Sequence, residues 1–253
     1  MKDQRRASIE DYVMTRQTAT MKELQSEFKV SMNTIRADIE ALVNSGNLVK
    51  IYGGVRKNYE GSAYSDREMD NIKIKTLIAK KAAELIESGD SVYLDYGTTT
   101  VAIPDYLHDK SDITIITPNM ELFIRCRNMS NINLIVLPGE YNARINGVVS
   151  DNTITDLNNY NIGKAFMATC GITPEGNICV SKYIQKKIKE TVISLSDKKY
   201  LLMESNKFYF TRPLMYANIS DIDAVITDNL IDSRSENLCK NVLKTEIIKI
   251  ENN

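Results

Sequence analysis

The sequence predicts an α/β protein in two unequal parts, a small helical head closed by a β-hairpin and a larger body on a buried, mostly parallel sheet. Three observations predict it. Capped, amphipathic helical stripes run through the first 44 residues. From Ile74 onward, continuous apolar strand-like runs alternate with helical stretches, as strands covered on both faces do. The chain has 253 residues, which at about 150 per domain suits one large or two unequal domains.

The head opens with Ile9, Tyr12 and Val13 on one face of a helix over 5–15. The stretch "TATMKELQSEFKV" predicts a second helix. Thr20 followed by Glu23 makes a capping box, and Met21, Leu24 and Phe28 supply the apolar stripe. After the turn "KVS", Ser31 is an N-cap for a third helix, "MNTIRADIEALVN". Its apolar face is Met32, Ile35, Ile39 and Leu42, and Gly46 ends it. Two helices joined by so tight a turn form a helix-turn-helix. In "NLVKIYGGVRK", two β-like runs flank Gly53-Gly54, a two-residue turn of the positive-φ kind, and this hairpin is a wing.

Residues 41–59 hold Lys50, Arg56 and Lys57 and no acid. Helix, helix-turn-helix and basic wing in that order predict binding to double-stranded DNA. A helical hairpin used only for dimerisation would explain neither the acid-free wing nor the capped turn. With Met32, Ile35, Ile39 and Leu42 inward, Ala37 points outward, flanked by Asn33, Glu40 and Ala41, with Thr34 and Arg36 on its shoulders. The N-terminus of such a helix normally enters the major groove. Ser31, Asn33, Thr34, Arg36 and Ala37 are therefore the expected DNA-reading residues. Asn suits adenine, Arg guanine, and Ala a thymine methyl. Lys50, Arg56 and the amides of Gly53 and Gly54 are expected on phosphates, which position without specifying.

Residues 1–57 are read as the DNA-binding domain, 58–70, with the turn-rich "NYEGSAYSD", as a linker, and 71–253 as the α/β body. Ile74, Leu77, Ile78, Ala82, Leu85 and Ile86 form a helical stripe. The predicted strands are "SVYLD", "ITIIT" (113–117), "INLIVLPG" (132–139), "KAFMAT" (164–169), "KYLLMES" (199–205), "AVITD" (224–228) and "EIIKI" (246–250).

Composition removes several function classes. No apolar run approaches the ~20 residues of a bilayer span, and the basic N-terminus has no apolar stretch behind it, so a cytoplasmic protein with no membrane partner is expected. Cys126, Cys170, Cys179 and Cys239 form no C-x-x-C pair and are expected to be reduced, buried thiols. His108 is the single histidine, expected exposed near a helix end, and leaves little for a zinc site or a Ser-His-Asp triad. No metal or cofactor is expected. The net charge of −1 is unevenly spread: residues 1–58 hold ten Lys/Arg and seven Asp/Glu, a net of +3, and the remainder nets −4. A mildly basic head suits a polyanion.

Ligands of open α/β sheets sit beyond the carboxyl ends of the strands. Here those ends carry Asp95 with Gly97-Thr98-Thr99-Thr100, then Thr117-Pro118-Asn119, Pro138-Gly139-Glu140 and Glu204-Ser205-Asn206-Lys207. A helix is expected to follow "GTTT". Gly97 would let the backbone turn and approach a ligand, the amides at a helix start favour an anion, and the threonines add neutral donors. With Lys207 for charge and Asp95 and Asn119 for sugar hydroxyls, the set suits a phosphorylated small molecule. The competing reading is a capped helix start whose threonines bond their own backbone. Neither G-x-x-x-x-G-K-[ST] nor G-x-G-x-x-G occurs, which disfavours a nucleotide.

The head "NTIRADIEALVNSGNLVKIYGGV" and the body motifs "DYGTTT", "ITIITPN", "PGEY", "KAFMATCGI" and "LLMESNKF" resemble the DeoR family of bacterial transcription regulators, in order over roughly 5–230. Within the family, "NSGNLVKIYGGV" and "YNIGKAFMATCG" are most similar to regulators of myo-inositol catabolism. The resemblance implies a winged helix-turn-helix head and a sensor domain similar in fold to ribose-5-phosphate isomerase. It implies a repressor of a sugar-catabolism operon, released from DNA by a phosphorylated sugar, homo-oligomeric, and not an enzyme. It places Asp95, Gly97, Thr98, Thr99, Thr100, Thr117, Asn119 and Lys207 on ligand motifs. The sequence also departs from the family. Two adjacent arginines are usual where Arg36-Ala37 stands, and a glycine pair where Pro138-Gly139 stands. A basic residue and a glycine are usual at Asn142 and Ser150, with Arg144 a candidate to replace the former. An aspartate is usual at Glu204 and a glutamate near Gln185. These changes imply an unusual effector or a degraded pocket. The rival reading is a sugar-phosphate isomerase with an accessory DNA-binding head, with Asp95 and Glu204 as acid and base; kinship of fold does not carry activity.

Overall fold

The computed structural model describes residues 2–16, 18–51, 53–58 and 64–250. The chain divides into two compact units, Met1–Ser62 and Ala63–Asn253.

The first unit holds α1 (Lys2–Arg16), α2 (Met21–Phe28) and α3 (Met32–Asn44). Thr20 accepts a hydrogen bond from the Glu23 amide while Glu23 accepts one from the Thr20 amide. Ser31 accepts from the Thr34 amide at the start of α3, and Lys29, at φ 49°, ends α2. Each cap satisfies amides that the helix itself leaves without partners. Ile9, Val13, Leu24, Ile35, Ile39 and Leu42 bury their side chains in one core with Leu48 and Val55, and Tyr12 meets Phe28 edge-on at 5.7 Å.

The head differs from the sequence reading in two places. "TAT" does not begin the second helix; it is β1 (Thr18–Thr20). As an N-cap, Thr20 takes an extended backbone (φ −76°, ψ 156°), so the residues before it leave the helix and pair as a strand. With β2 (Leu48–Ile51) and β3 (Gly54–Lys57) it makes an antiparallel sheet in the order β1-β3-β2. In addition, Ile51 pairs with Gly54, so Gly54 is a strand residue and Gly53, at φ 76°, is the glycine in the turn. Gly54 packs so closely on β1 that a Cβ there would collide with the Ala19 carbonyl oxygen.

Of the stretch read as a linker, positions 59–63 lie outside the described residues. Its remainder carries α4 (Tyr64–Met69), and Asn71, at φ 50°, turns the chain into α5 (Ile72–Glu84). The second unit then alternates strand and connection: β4 (Ser91–Leu94), β5 (Ile113–Thr117), α6 (Met120–Cys126), β6 (Ile132–Val136), the hairpin β7 (Glu140–Asn142) and β8 (Gly147–Val149), α7 (Asp151–Leu157) and β9 (Ile162–Ala168). It continues with β10 (Gly171–Ile172), β11 (Asn177–Val180), α8 (Tyr183–Leu195), β12 (Ser196–Leu202), β13 (Leu214–Asn218), β14 (Ala224–Asp228), α9 (Ser233–Asn237) and β15 (Glu246–Ile250).

Seven of these strands form one sheet, β15-β14-β12-β9-β4-β5-β6, parallel throughout. Its two faces are covered separately, as a parallel sheet requires. Val92 and Leu94 of β4 pack with Ile78 and Ala82 of α5 and Leu122 of α6. Tyr93, between them, packs in a second cluster with Leu157 of α7, Ile188 and Val192 of α8, and Ile178 of β11. A strand buried on both sides has no polar alternation, which is why these segments read as continuous apolar runs.

No α-helix follows "GTTT". Thr100–Ala102 and Pro104–Tyr106 are separate 3-10 turns. Pro104 has no amide to donate to the Thr100 carbonyl, and the Thr100 hydroxyl competes for the Gly97 carbonyl, so a regular helix does not propagate. His108 is exposed; Cys126, Cys179 and Cys239 are buried thiols, while Cys170 is only partly covered. Among the described residues, no helix is long and apolar enough to cross a membrane.

Gly54→Ala is expected to lower the stability of the first unit by about 1–3 kcal/mol, the usual range for overpacking. Thermal unfolding of the variant checks it, with Gly53→Asn, which tolerates positive φ, expected to melt close to the unaltered protein.

Candidate DNA-reading face and effector pocket

On α3, Asn33, Arg36 and Ala37 are exposed and Thr34 is partly covered. Ser31 spends its hydroxyl on the cap, bonding the Thr34 amide and lying 2.8 Å from the Thr34 hydroxyl. Lys50 is exposed on the wing, and Gly53 is exposed with its carbonyl accepting from the Met21 amide. Two expected phosphate contacts are corrected. Arg56 is 2 % exposed, in the middle strand of the wing sheet, paired to Thr18 on one side and Val49 on the other. Gly54 is buried against β1. Neither faces solvent, and β1, unforeseen in the sequence, closes on Gly54.

Asp38 was missed. It is 1 % exposed and accepts hydrogen bonds from Arg5 Nε at 2.6 Å and Arg6 Nε at 3.1 Å. Burial alone would raise its pKa; the bonds and charges of the two arginines outweigh that and hold it below the usual carboxylate value. The available signal was an acid three residues past Ile35, on the buried flank of the helix, where a charge needs a partner.

In the second unit, the ends of β4, β5, β9 and β12 meet as the sequence suggested, but several side chains there serve the fold. Asp95 is wholly buried. It accepts from the Ala168 amide at 2.8 Å and is ion-paired with Lys189 of α8, which also donates to the Ala168 carbonyl at 2.7 Å and stands 4.9 Å from the Tyr216 ring. Asp95 thus ties β4, β9 and α8 together and is not presented for sugar hydroxyls. Thr100 is buried, with its hydroxyl 2.8 Å from both the Asp95 and the Gly97 carbonyls. Thr117 is buried and donates to the Leu94 carbonyl while accepting from the Asn119 amide. Thr100 bonds carbonyls of its own loop, as the competing reading has it for the threonine run, though no capped helix follows; Thr117 instead ties β5 to the Leu94 carbonyl of β4. Gly97 is required by packing, since a Cβ there would collide with Ala168.

The remaining expected residues, Arg144 apart, lie in the segments that follow β4, β5 and β12. Thr98 is half-buried, its hydroxyl 3.4 Å from the Arg67 carbonyl, and Thr99 is buried behind it. Asn119 caps α6 by accepting from the Glu121 amide; its Nδ2 is buried without a hydrogen-bond partner, and the Tyr64 side chain lies beside it. Lys207 pairs with Glu204 at 3.4 Å. Arg144 is corrected: its side chain is exposed in the β7–β8 turn, and it is its carbonyl that accepts from the Arg67 guanidinium.

Arg67, Asn71 and Lys75 come from α4 and the start of α5, the segment read as linker and apolar stripe. Lys75 donates to the Arg67 carbonyl, and Asn71 donates to Glu204. Asn71, Lys75 and Lys207 therefore share one carboxylate, Glu204, and Arg67 stands beside Lys75. Burial would raise the Glu204 pKa, but the Lys207 and Lys75 charges and the hydrogen bonds outweigh it and hold the group low. Lys75 is pushed down to about 8, by burial first and by Lys207 and Arg67 beside it, with Glu204 and Asp70 opposing. The sequence signal was a lysine in register with Ile78, Ala79 and Ala82 on the inward face of a helix.

A capped helix-turn-helix with a three-stranded wing, followed by a parallel α/β domain, defines a winged-helix transcription regulator. Residues 5–60 match the DeoR-like helix-turn-helix domain, and residues 70–229 match the DeoR C terminal sensor domain. The chain belongs to the DeoR family. It is 32 % identical over 242 residues to the HTH-type transcriptional regulator IolR of Bacillus subtilis, covering 94 % of this chain and 96 % of that one. It is 26 % identical to the glycerol-3-phosphate regulon repressor of Escherichia coli, covering 89 % and 90 %, and 28 % identical to the lactose phosphotransferase system repressor of Streptococcus mutans, covering 98 % and 99 %. Ribose 5-phosphate isomerase a of Methanocaldococcus jannaschii is similar over 55 % of each chain, with 16 % identity and a TM-score of 0.39.

Lys189→Met leaves Asp95 charged and buried without its cation, and is expected to destabilise the α/β unit by about 3–5 kcal/mol. Urea unfolding followed by tyrosine fluorescence tests this, and the double variant Asp95→Leu with Lys189→Met is expected to recover most of the loss.

Proposed function

We propose that this chain is a bacterial repressor of a carbohydrate-catabolism operon, acting in the cytoplasm as a homo-oligomer and released from DNA by a phosphorylated sugar bound at the strand-end cations. One observation carries the reading: Lys75 and Lys207, with Asn71, converge on the buried Glu204 carboxylate beyond the carboxyl ends of the strands. A phosphate dianion answers that arrangement, since charge-assisted hydrogen bonds to it are strong and a partly desolvated lysine gains an anion. Thr98 adds a donor, and the unpartnered Asn119 Nδ2 suits a sugar hydroxyl. The printed names of the relatives, repressors of glycerol-3-phosphate and lactose phosphotransferase systems, favour the same chemistry. The buried Asp95–Lys189 pair disfavours the isomerase reading, because a sealed carboxylate reaches no substrate.

The switch follows from how the pocket satisfies itself. Arg67 donates to the Arg144 carbonyl, Lys75 to the Arg67 carbonyl and Asn71 to Glu204. These contacts hold α4 and the start of α5, and α4 begins two residues after the first unit ends. An ester that recruits the cations replaces some of these contacts and shifts α4, the element joined to the DNA-binding unit. Coupling of this kind amounts to about 1–3 kcal/mol and is reciprocal, so operator DNA must weaken ester binding by the same factor. On the DNA side, Asn33, Thr34, Arg36 and Ala37 read bases, and Lys50 with the Gly53 amide meets phosphate.

The test is binding of the full-length protein to the region upstream of its own gene, at stated salt, with a panel of phosphorylated sugars and their free sugars. Release by one ester and not by its free sugar is the expected result; binding that no ester relieves would remove the effector assignment. Lys207→Ala and Lys75→Ala are each expected to weaken ester response by about 10- to 100-fold, the range for a hydrogen bond to a charged group, while leaving DNA affinity unchanged. Loss of DNA affinity in either would sink the pocket assignment.

The pH dependence has a definite sign. With its pKa lowered to about 8, Lys75 is mostly protonated below that pH and loses its charge above it. Ester affinity is therefore expected to hold from pH 7 to 8 and to fall as pH rises past 8, with proton uptake on binding. Calorimetry in buffers of different ionisation enthalpy reads that uptake, and Lys75→Ala is expected to abolish it.

A further inference from the structure

The first unit contains an ion triad that the DNA-reading assignment does not use. Arg5 and Arg6, adjacent on α1, both donate Nε to Asp38 of α3, at 2.6 and 3.1 Å. The carboxylate is sealed, at 1 % exposure, while the arginine side chains remain 26 % and 25 % exposed. One arginine would neutralise Asp38; two leave an excess positive charge at the surface. Among the described residues, each guanidinium spends only its Nε, so the NH2 groups carry no other hydrogen bond.

The position of the triad says what the excess charge faces. Residues on a helix advance about 100° each around its axis. Asp38 therefore lies between the inward line of Ile35 and Ile39 and the edge formed by Thr34 and Ala41, which borders the exposed Ala37. Both guanidiniums emerge along that edge of the reading helix. A helix seated in the major groove has a phosphate backbone along each edge, and the guanidinium fork matches phosphate oxygens two at a time. With Arg56 buried, the wing offers fewer phosphate contacts than its sequence suggests, and this pair supplies cations on the helix itself.

We propose that Arg5 and Arg6 form a phosphate clamp on operator DNA, held at the edge of the reading helix by the buried Asp38. Arg5 and Arg6 touch the backbone; Asp38 is a positioning residue. The clamp contributes affinity without sequence preference and sets the depth at which α3 sits in the groove. It rests on the DNA-binding assignment.

The test measures DNA affinity of the full-length protein for a mixed-sequence duplex by fluorescence anisotropy across a series of salt concentrations. Each phosphate contact contributes about 0.9 to the slope of log K against log salt. Arg5→Ala and Arg6→Ala are each expected to reduce the slope by about that amount, and Arg5→Lys and Arg6→Lys to keep it. Asp38→Asn makes the head more positive, yet it is expected to weaken binding, because the arginines lose their anchor. That direction opposes a simple charge effect. Thermal melting separates folding from contact. Arginine-to-alanine variants that melt normally with unchanged slopes would overturn the clamp, as would lysine variants that melt normally and lose the slope. A salt-independent wild type would instead overturn DNA binding itself.

Discussion

The α/β unit depends on one buried ion pair. Asp95 leaves the end of β4 and Lys189 reaches it from α8, with the Ala168 backbone between them giving an amide to the acid and a carbonyl to the lysine. Taking either charge out of water costs several kcal/mol unless the other is present and the remaining groups are bonded. The pair, made through Asp95 Oδ2 while Oδ1 is buried without a hydrogen-bond partner, holds β4, β9 and α8 in one relative position. The close approach of Gly97 to Ala168 follows from it. The strand ends become a rigid floor, on which Thr98, Asn119 and Lys207 keep their places.

Three of the buried carboxylates, Asp95, Asp38 and Glu204, differ in the kind of partners they hold. Asp95 has one cation and a backbone amide. Asp38 has two arginines from one neighbouring helix and fixes how α1 lies against α3. Glu204 shares Asn71, Lys75 and Lys207, which arrive from different elements. The first two are locks, since losing a partner strands a charge. The third is a hub. Lys75 stays depressed chiefly because it is buried, with Lys207 and Arg67 beside it, even though Glu204 opposes the shift. In the proposed reading an incoming anion would join those cations, whereas at Asp95 it would meet a carboxylate already paired with Lys189.

The same electrostatic economy appears in the head. Arg56 is drawn into the wing sheet, and Ala37 leaves the reading face without a charge at its centre. The cations left for the proposed DNA contact are the exposed Arg36 and Lys50 and, in the proposed clamp, Arg5 and Arg6. Position on the helix edge favours backbone contact, and position on the outward face favours base contact, so the redistribution alters the balance between affinity and specificity.

Much of this was legible from short-range pattern. The capping box at Thr20–Glu23, the Ser31 cap, the 3.6-residue stripes and the unbroken apolar runs are local, because hydrogen bonds within a turn and burial on a repeating face are set by neighbours in the chain. Those features gave the helix-turn-helix and the parallel sheet. Partner choice was not legible. Asp38 meets Arg5 across 33 positions, Lys189 meets Asp95 across 94, and Asn71 meets Glu204 across 133. "GTTT" looked like an anion cradle, yet Thr100 turns inward and Gly97 serves packing, while Arg67 and Lys75 arrive from a stretch that read as linker and apolar stripe. Whether a polar side chain faces a ligand or a neighbour depends on which distant groups fold against it, and only the assembled strands and helices set that.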